Sequence, residues 1–255
     1  MKLASFNANS IRARLPVILD WLKRESPDIL CVQETKVQDK DFPLDAFKKA
    51  GFGAVFRGQK SYNGVAVISR HPLEGVVCTL YEEDEDARFI SVDVCGISVI
   101  NVYVPQGFEA GTQKFDYKLS WLRGLLSFLK DRRDPSRPLI VAGDFNVALE
   151  DRDLFDPDKF RGEVAFHPEE QSILKDILKW GLFDIFRKHV PEGGNFTFWD
   201  YRIPGALKRN LGWRIDYILA TSCLAEKSRT CWIDTKARAL EKPSDHTFLV
   251  AEFEL

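Results

Sequence analysis

No apolar run in these 255 residues approaches the ~20 consecutive positions that a membrane-crossing helix needs. The opening stretch, "MKLASFNANS", is charged at residue 2 and polar by residue 7, so no secretory leader is expected and a cytoplasmic protein is. Paired cysteines are missing too: Cys31, Cys78, Cys95, Cys223 and Cys231 are odd in number, far apart and without a Cys-x-x-Cys motif, which argues for reduced structural thiols rather than zinc or disulfides. Charge of one sign is lacking, with 36 Lys and Arg against 38 Asp and Glu, which excludes a uniformly basic nucleic-acid coat but leaves room for a local basic face. No repeat or low-complexity segment is present. Two tempting loops fail as well. "DRDLFDPDK" puts Phe155 in the third ligand slot of a calcium loop and lacks its glycine, and "GQKSYNG" lacks the spacing of a phosphate-binding loop.

What is present is a chain long enough to bury a large core, 45% hydrophobic and 29% charged. One compact domain spanning 1–255 is expected, or two halves sharing one core. "KLASF", "DILCVQ", "GVAVISR" and "PLIVAG" read as buried strands, and "RFISVDVCGISVINVYVP" as two strands joined at Cys95-Gly96 by a tight hairpin turn. "NFTFWDY", "RIDYILA" and "TFLVAEFEL" read as later strands. "IRARLPVILDWLKRES", residues 113–133 and "HPEEQSILKDILKWG" carry apolar side chains at helical spacing. Many strands with few intervening helices argue for packed sheets under outer helices, not one doubly wound parallel sheet.

The strands share a peculiarity: each meets strongly polar groups at one end. Asn7 and Asn9 follow the first strand, Gln33 and Glu34 the second, Tyr103 and Gln106 follow "VINV", Asp144 and Asn146 follow "LIVAG", Asp216 lies in "WRIDYIL", and Asp245 and His246 precede the last strand. In extended backbone, residues two apart face one way, so Asn7 with Asn9, and Asp144 with Asn146, would each present oxygens to one spot while Phe145 turns into the core. A single Asp or Asn after a strand is ordinarily a turn or cap residue. Here long side chains, Glu34, Tyr103 and Gln106, recur where a cap needs only a short one. Glu, several Asp, Asn and one His, without a nucleophilic Cys or Ser, suit metal-assisted hydrolysis of a phosphate ester.

Residues 196–214, "FTFWDYRIPGALKRNLGWR", hold five aromatics in 19 positions, and Arg202, Lys208, Arg209 and Arg214 against one acid, Asp200. Cations interleaved with flat side chains are a nucleic-acid signature. Trp213 with Lys208 and Arg209 is the stronger contact candidate. Phe196, Phe198 and Trp199 fit a strand packed inward equally well. His71, His167 and His189 have no partners at metal-ligand spacing.

In order along the chain, "SFNANSIRARL", "PDILCVQETK", "YNGVAVISR", "INVYVPQG", "GDFNVA", "GLFDIFR", "FTFWDYR", "GWRIDYIL" and "EKPSDH" resemble the exonuclease III family of abasic-site endonucleases, from residue 3 to the C-terminus. Asn9 stands where some members carry Asp, and Ser10 where many carry Gly. The resemblance implies an α/β fold of two packed, mostly antiparallel sheets flanked by outer helices, a four-layer sandwich like deoxyribonuclease I. It implies a Mg2+-dependent nuclease, with Mn2+ as substitute, that acts as a monomer on duplex DNA with abasic sites or 3' ends and has no membrane partner. Glu34, with Asn7 or Asn9 and Asp245, would hold the metal. Asp144 would be the general base, Asn146 would bond the phosphate, and Asp216 would orient His246, which would either steady phosphoryl charge or position water. Tyr103 and Gln106 would contact the scissile phosphate or the leaving oxygen. Arg88, after the acidic "EEDEDA", would add a DNA backbone contact beside Lys208, Arg209, Trp213 and Arg214. Two other functions stay open on the residues: a phosphoesterase for lipid or inositol head groups, and a non-catalytic nucleic-acid-binding relative.

Overall fold

In the computed structural model, which describes residues 1–81 and 85–255, the apolar runs become strands buried on both faces. The chain order is β1 (Lys2–Asn7), α1 (Ile11–Glu25), β2 (Ile29–Gln33), α2 (Leu44–Lys49), β3 (Gly53–Arg57), β4 (Val65–Ser69), β5 (Glu74–Val77), β6 (Phe89–Val94), β7 (Ile97–Tyr103) and α3 (Gln113–Arg132). The second half runs β8 (Leu139–Asp144), α4 (Pro157–Phe160), α5 (Pro168–Lys179), β9 (Leu182–Asp184), α6 (Ile185–His189), β10 (Asp216–Thr221), α7 (Ser222–Ala225), β11 (Ser228–Asp234) and β12 (Phe248–Phe253).

Two six-stranded sheets result, ordered β11-β12-β1-β2-β4-β3 and β5-β6-β7-β8-β10-β9. Each has one parallel pair at its centre, β1 with β2 and β7 with β8, and antiparallel pairs elsewhere. The expected mostly antiparallel sandwich is therefore present. Alternate strand residues fill different cores, because side chains two apart share a face. Leu3, Ile29, Cys31 and Val67 of one sheet meet Val92, Val99, Ile140 and Ile218 of the other between the sheets. The opposite faces are covered by helices: α1 places Ile18, Trp21 and Leu22 against Phe6, Phe248 and Val250, and α3 and α5 cover the second sheet. Trp21, Phe248 and Phe6 form a continuous stack with centroids about 4 Å apart. Cys95 and Gly96, at φ 51° and 76°, make the anticipated hairpin turn.

Two expectations need correction. "NFTFWDY" is not a strand: Phe198 makes single bridges to Trp213 and His246, and Phe196 and Trp199 pack into a small satellite core. Asn9 and Asn146 do share a face with Asn7 and Asp144, but the strands end first. Both residues turn into the left-handed region, φ 44° and 51°, and each backbone N–H returns to the side-chain oxygen two residues back. Phe145 is buried as expected.

Strand direction collects the polar ends. Register places Asn7 beside Gln33, Tyr103 beside Asp144, and Asp216 opposite Asp144. The C-terminal ends of the two parallel pairs thus share an edge with the start of β10, and the antiparallel β12 brings the residues preceding it to that edge too. Gly143 permits this closeness. At φ 145°, a Cβ there would fall 2.0 Å from the Val102 carbonyl oxygen, so any side chain pushes β7 and β8 apart. Gly143→Ala should destabilise by about 3 kcal/mol and lower Tm by roughly 6–12 °C in a thermal melt, with nuclease activity falling further because Asp144 is displaced.

Candidate active site

Asn7 is the hinge of the polar edge. Its buried Nδ2 donates to Glu34 Oε1 at 2.8 Å and to Asp144 Oδ2 at 2.9 Å, so one amide joins carboxylates carried by different sheets. Its Oδ1 is taken by the Asn9 backbone N–H. Asn7 therefore positions two acids. Glu34 Oε2 lies 2.7 Å from Lys36 Nζ, which also donates to Asn9 Oδ1 at 2.5 Å. Asn9 Nδ2 in turn donates to Asp245 Oδ1 at 3.0 Å. Burial works to raise the Glu34 carboxyl pKa, but the Lys36 ammonium and the Asn7 amide together hold it below its usual value.

Across Asn7, Asp144 also accepts from the Asn146 backbone and side chain. Burial, then the nearby Asp216 and Glu34 charges, push its pKa up to about 7 against the pull of His246. His246 Nδ1 lies 2.8 Å from Asp216 Oδ2, and Nε2 lies 3.7 Å from Asp144 Oδ2. Burial would lower the imidazole pKa, but the two carboxylates overcome it and raise it to about 10. The half-buried Phe198 ring covers the imidazole at 4.9 Å. Burial of Tyr103, with the Glu34 and Asp144 charges, keeps its hydroxyl protonated far above neutrality.

The donor set fits a hard divalent cation. Glu34 and Asn9 offer oxygens to the same point, where an ammonium now rests, with Asp245 one amide away. Asp144, Asp216 and His246 also bring ligand atoms within 4.8 Å of one another, but there the imidazolium already lies between the two acids. That group is better suited to moving protons.

The sequence model of the endonuclease/exonuclease/phosphatase family matches residues 4–246. Exodeoxyribonuclease III of Haemophilus influenzae is 35% identical, covering 99% of this chain and 100% of the relative. The chain belongs to the exonuclease III family. An AP endonuclease from Archaeoglobus fulgidus has a TM-score of 0.98 at 46% identity over 100% of both chains. A Neisseria 3' phosphatase bound to a product DNA hairpin has a TM-score of 0.96 at 37% identity, again over 100% of both. Membership makes the chain a metal-dependent nuclease of the exodeoxyribonuclease III type.

For an exonuclease III family member, the recognition residues are placed unevenly. Gln106 is exposed, and its Oε1 accepts the Phe108 N–H at 2.7 Å. Lys208 and Arg209 are exposed, and Trp213 is half-buried with its ring 4.6 Å from Phe160. Arg214 is a correction: it is 0% exposed, pinned by Asp153 and Asp184 at 2.7 and 2.8 Å, and stacked over Tyr217, so it holds the loop rather than touching DNA. Arg88, with 12% of its side chain exposed, pairs with Asp86 and lies over the Tyr103 ring at 4.7 Å. Residues 82–84 of the acidic stretch before it lie outside the described residues. Lys36 and Phe198 were not singled out as site residues from sequence, although Lys36 stands in the quoted "QETK". His71 pairs with Asp28 and His167 caps α5, both away from the site. Among the described residues, no helix is long and apolar enough to cross a membrane.

Two outcomes follow. Because the folded His246 pKa exceeds its unfolded value, its stabilising contribution is complete below pH 6.5 and is lost as pH rises through about 10. In the metal-free protein the ring should stay protonated from pH 6 to 8, its resonances moving there only with the titration of Asp144 beside it, and Asp144→Asn should remove that movement and bring the imidazole titration to lower pH, both read by NMR. Arg214→Ala should destabilise by about 3–5 kcal/mol in denaturant titration, by taking the guanidinium from Asp184 and leaving Asp153 with Arg187 alone, while the salt dependence of DNA binding stays unchanged.

Proposed function

We propose that the protein hydrolyses the phosphodiester 5' to abasic sites in duplex DNA, leaving a 3'-hydroxyl, and also trims 3' ends as a 3'-5' exonuclease and 3'-phosphodiesterase. The observation that carries this reading is the junction at Asn7, which sets Glu34 and Asp144 on one amide with His246 alongside. The likeness to an AP endonuclease over both full chains supports the abasic substrate. We read residues 1–255 as one catalytic unit, working as a monomer in the cytoplasm.

Glu34, Asn9 and Asp245 would hold Mg2+, or Mn2+ in its place. A divalent ion held there would supply Lewis-acid neutralisation of phosphate charge. Asp144, with a pKa brought near neutrality, accepts the proton of the attacking water. Asp216 fixes the imidazole so that Nε2 faces the reacting phosphate, and the charged ring offsets the anion that would otherwise repel an incoming hydroxide. Tyr103, still protonated, donates a hydrogen bond to the phosphate or to the leaving oxygen. Gln106 and Asn146 contact the phosphate. Lys208, Arg209 and Trp213 hold the duplex, the cations on phosphates and the indole against a base or sugar.

A second reading, in which 3' ends are the principal substrate, draws support from the Neisseria 3' phosphatase and the 3'-5' exonuclease of Neisseria meningitidis, each with a TM-score of 0.96. One assay addresses both. A labelled duplex with an internal abasic analogue and another with a blocked 3' end are incubated with Mg2+ or chelator. The unaltered protein should cut in Mg2+ alone, and Asp144→Asn and His246→Ala should each lower kcat by about 10²–10⁴-fold. Undiminished product in chelator, or from both variants, would remove the mechanism.

A further inference from the structure

Lys118 sits on the inner face of α3 with no solvent exposure, and so does its ion-pair partner Glu170 on α5, with Nζ 2.7 Å from Glu170 Oε1. The same ammonium donates to the Asn146 carbonyl at 2.7 Å and to the Gln106 carbonyl at 3.2 Å. Its three oxygen partners therefore come from the loop after β7, the loop after β8 and the first turn of α5. The loop after β7 lies directly on the lysine stem. Gly107, at φ 95°, has no room for a side chain, because a Cβ would fall 2.9 Å from Lys118 Cδ.

A sealed charge pair is a poor way to stabilise a core, since apolar side chains of similar volume generally serve as well or better. What an apolar residue cannot do is hold two carbonyl oxygens from separate loops at a fixed separation. Asn146 occupies left-handed backbone and places both its N–H and its Nδ2 on Asp144. Holding its carbonyl therefore anchors the turn residue whose N–H and Nδ2 orient Asp144. Fixing the Gln106 carbonyl sets where that exposed side chain stands relative to Asp144.

We infer that Lys118 is a positioning residue of the hydrolytic reaction, a buried clamp that sets the Gln106 loop against the Asp144–Asn146 turn. The inference rests on the proposed roles of Asp144 and Gln106. Loss of the clamp displaces reacting groups without unfolding the sandwich, and small displacements of that kind act on turnover more than on binding.

The test is the double variant Lys118→Met/Glu170→Gln, which removes both charges at similar volume, assayed on the abasic-analogue duplex in Mg2+ and by thermal melting. The expected result is a kcat lower by about 10–100-fold, a KM changed by less than about three-fold, and a melting midpoint within a few degrees of the unaltered protein. Glu170→Gln alone leaves Lys118 on both carbonyls and should keep kcat within about three-fold. The inference is overturned if the double variant folds and keeps its kcat, if it fails to fold, or if Glu170→Gln alone loses as much as the double variant. If the unaltered protein leaves the abasic duplex uncut, the reading of the substrate fails instead. The same kcat comparison then decides the role of Lys118 on a duplex with a blocked 3' end.

Discussion

One amide group holds the catalytic edge together. Asn7 reaches from the first sheet to Glu34 on its own sheet and to Asp144 on the other, across a sandwich whose sheets stand roughly 10 Å apart. Two carboxylates brought this close and kept from water repel each other, so the contact survives only with a donor between them and cations on either side. Lys36 supplies one cation against Glu34, and His246 the other against Asp144. Four carboxylates, Glu34, Asp144, Asp216 and Asp245, face those two cations, which leaves about two negative charges uncompensated. Arg88 and Lys118 are paired with Asp86 and Glu170. A site with that deficit is suited to a divalent cation and hostile to a bare phosphodiester, which explains why metal and substrate charge belong together in the chemistry.

The edge exists because of chain direction. Each sheet contains one parallel pair crossed over by a helix, α1 for β1 and β2, α3 for β7 and β8, and parallel strands end at the same edge. The chain then turns sharply at Asn9, Glu34, Lys36 and Asn146, all with positive φ, between 44° and 53°. Such conformations are unfavourable for residues with side chains, and they persist only where surrounding contacts over-determine them. Here those contacts are hydrogen bonds of the site itself: the Asn9 N–H on Asn7, the Asn146 N–H on Asp144, and the Lys36 ammonium on Glu34 and Asn9.

Most of this was legible in the residues, for a physical reason. Central strands such as β2, β4 and β8 are buried on both faces, so they read as unbroken apolar runs, and a polar group at the tip of such a run stands out. Edge and short strands were invisible. β5 is exposed along its length, β9 has three residues, and β3 and β11 mix charged with apolar positions, so none shows a period. "NFTFWDY" misled in the other direction: its alternating aromatics imitate a strand, but they are buried in a satellite core reached through isolated bridges. Arg214 misled because charge counted within a segment takes no account of acids that arrive from elsewhere. Asp153 and Asp184 lie far off in sequence and meet it only in the fold.

That buried knot and the Lys118–Glu170 pair divide the labour of the structure. Away from the edge, the three cores are apolar and tolerate exchange of similar volumes. Near it, the loops after β7 and β8 and the loop before β10 are tied down by buried charges: Lys118 on the first two, Arg214 and Arg187 with Asp153 and Asp184 on the last two. Buried charges are costly in stability unless fully partnered, and their value lies in direction, since an ammonium or guanidinium binds oxygens at fixed angles where methyl groups only fill space. Apolar packing decides whether the sandwich forms. Directional contacts decide whether Asp144, Gln106 and His246 stand where a phosphate can be attacked, so activity is the more easily lost of the two properties.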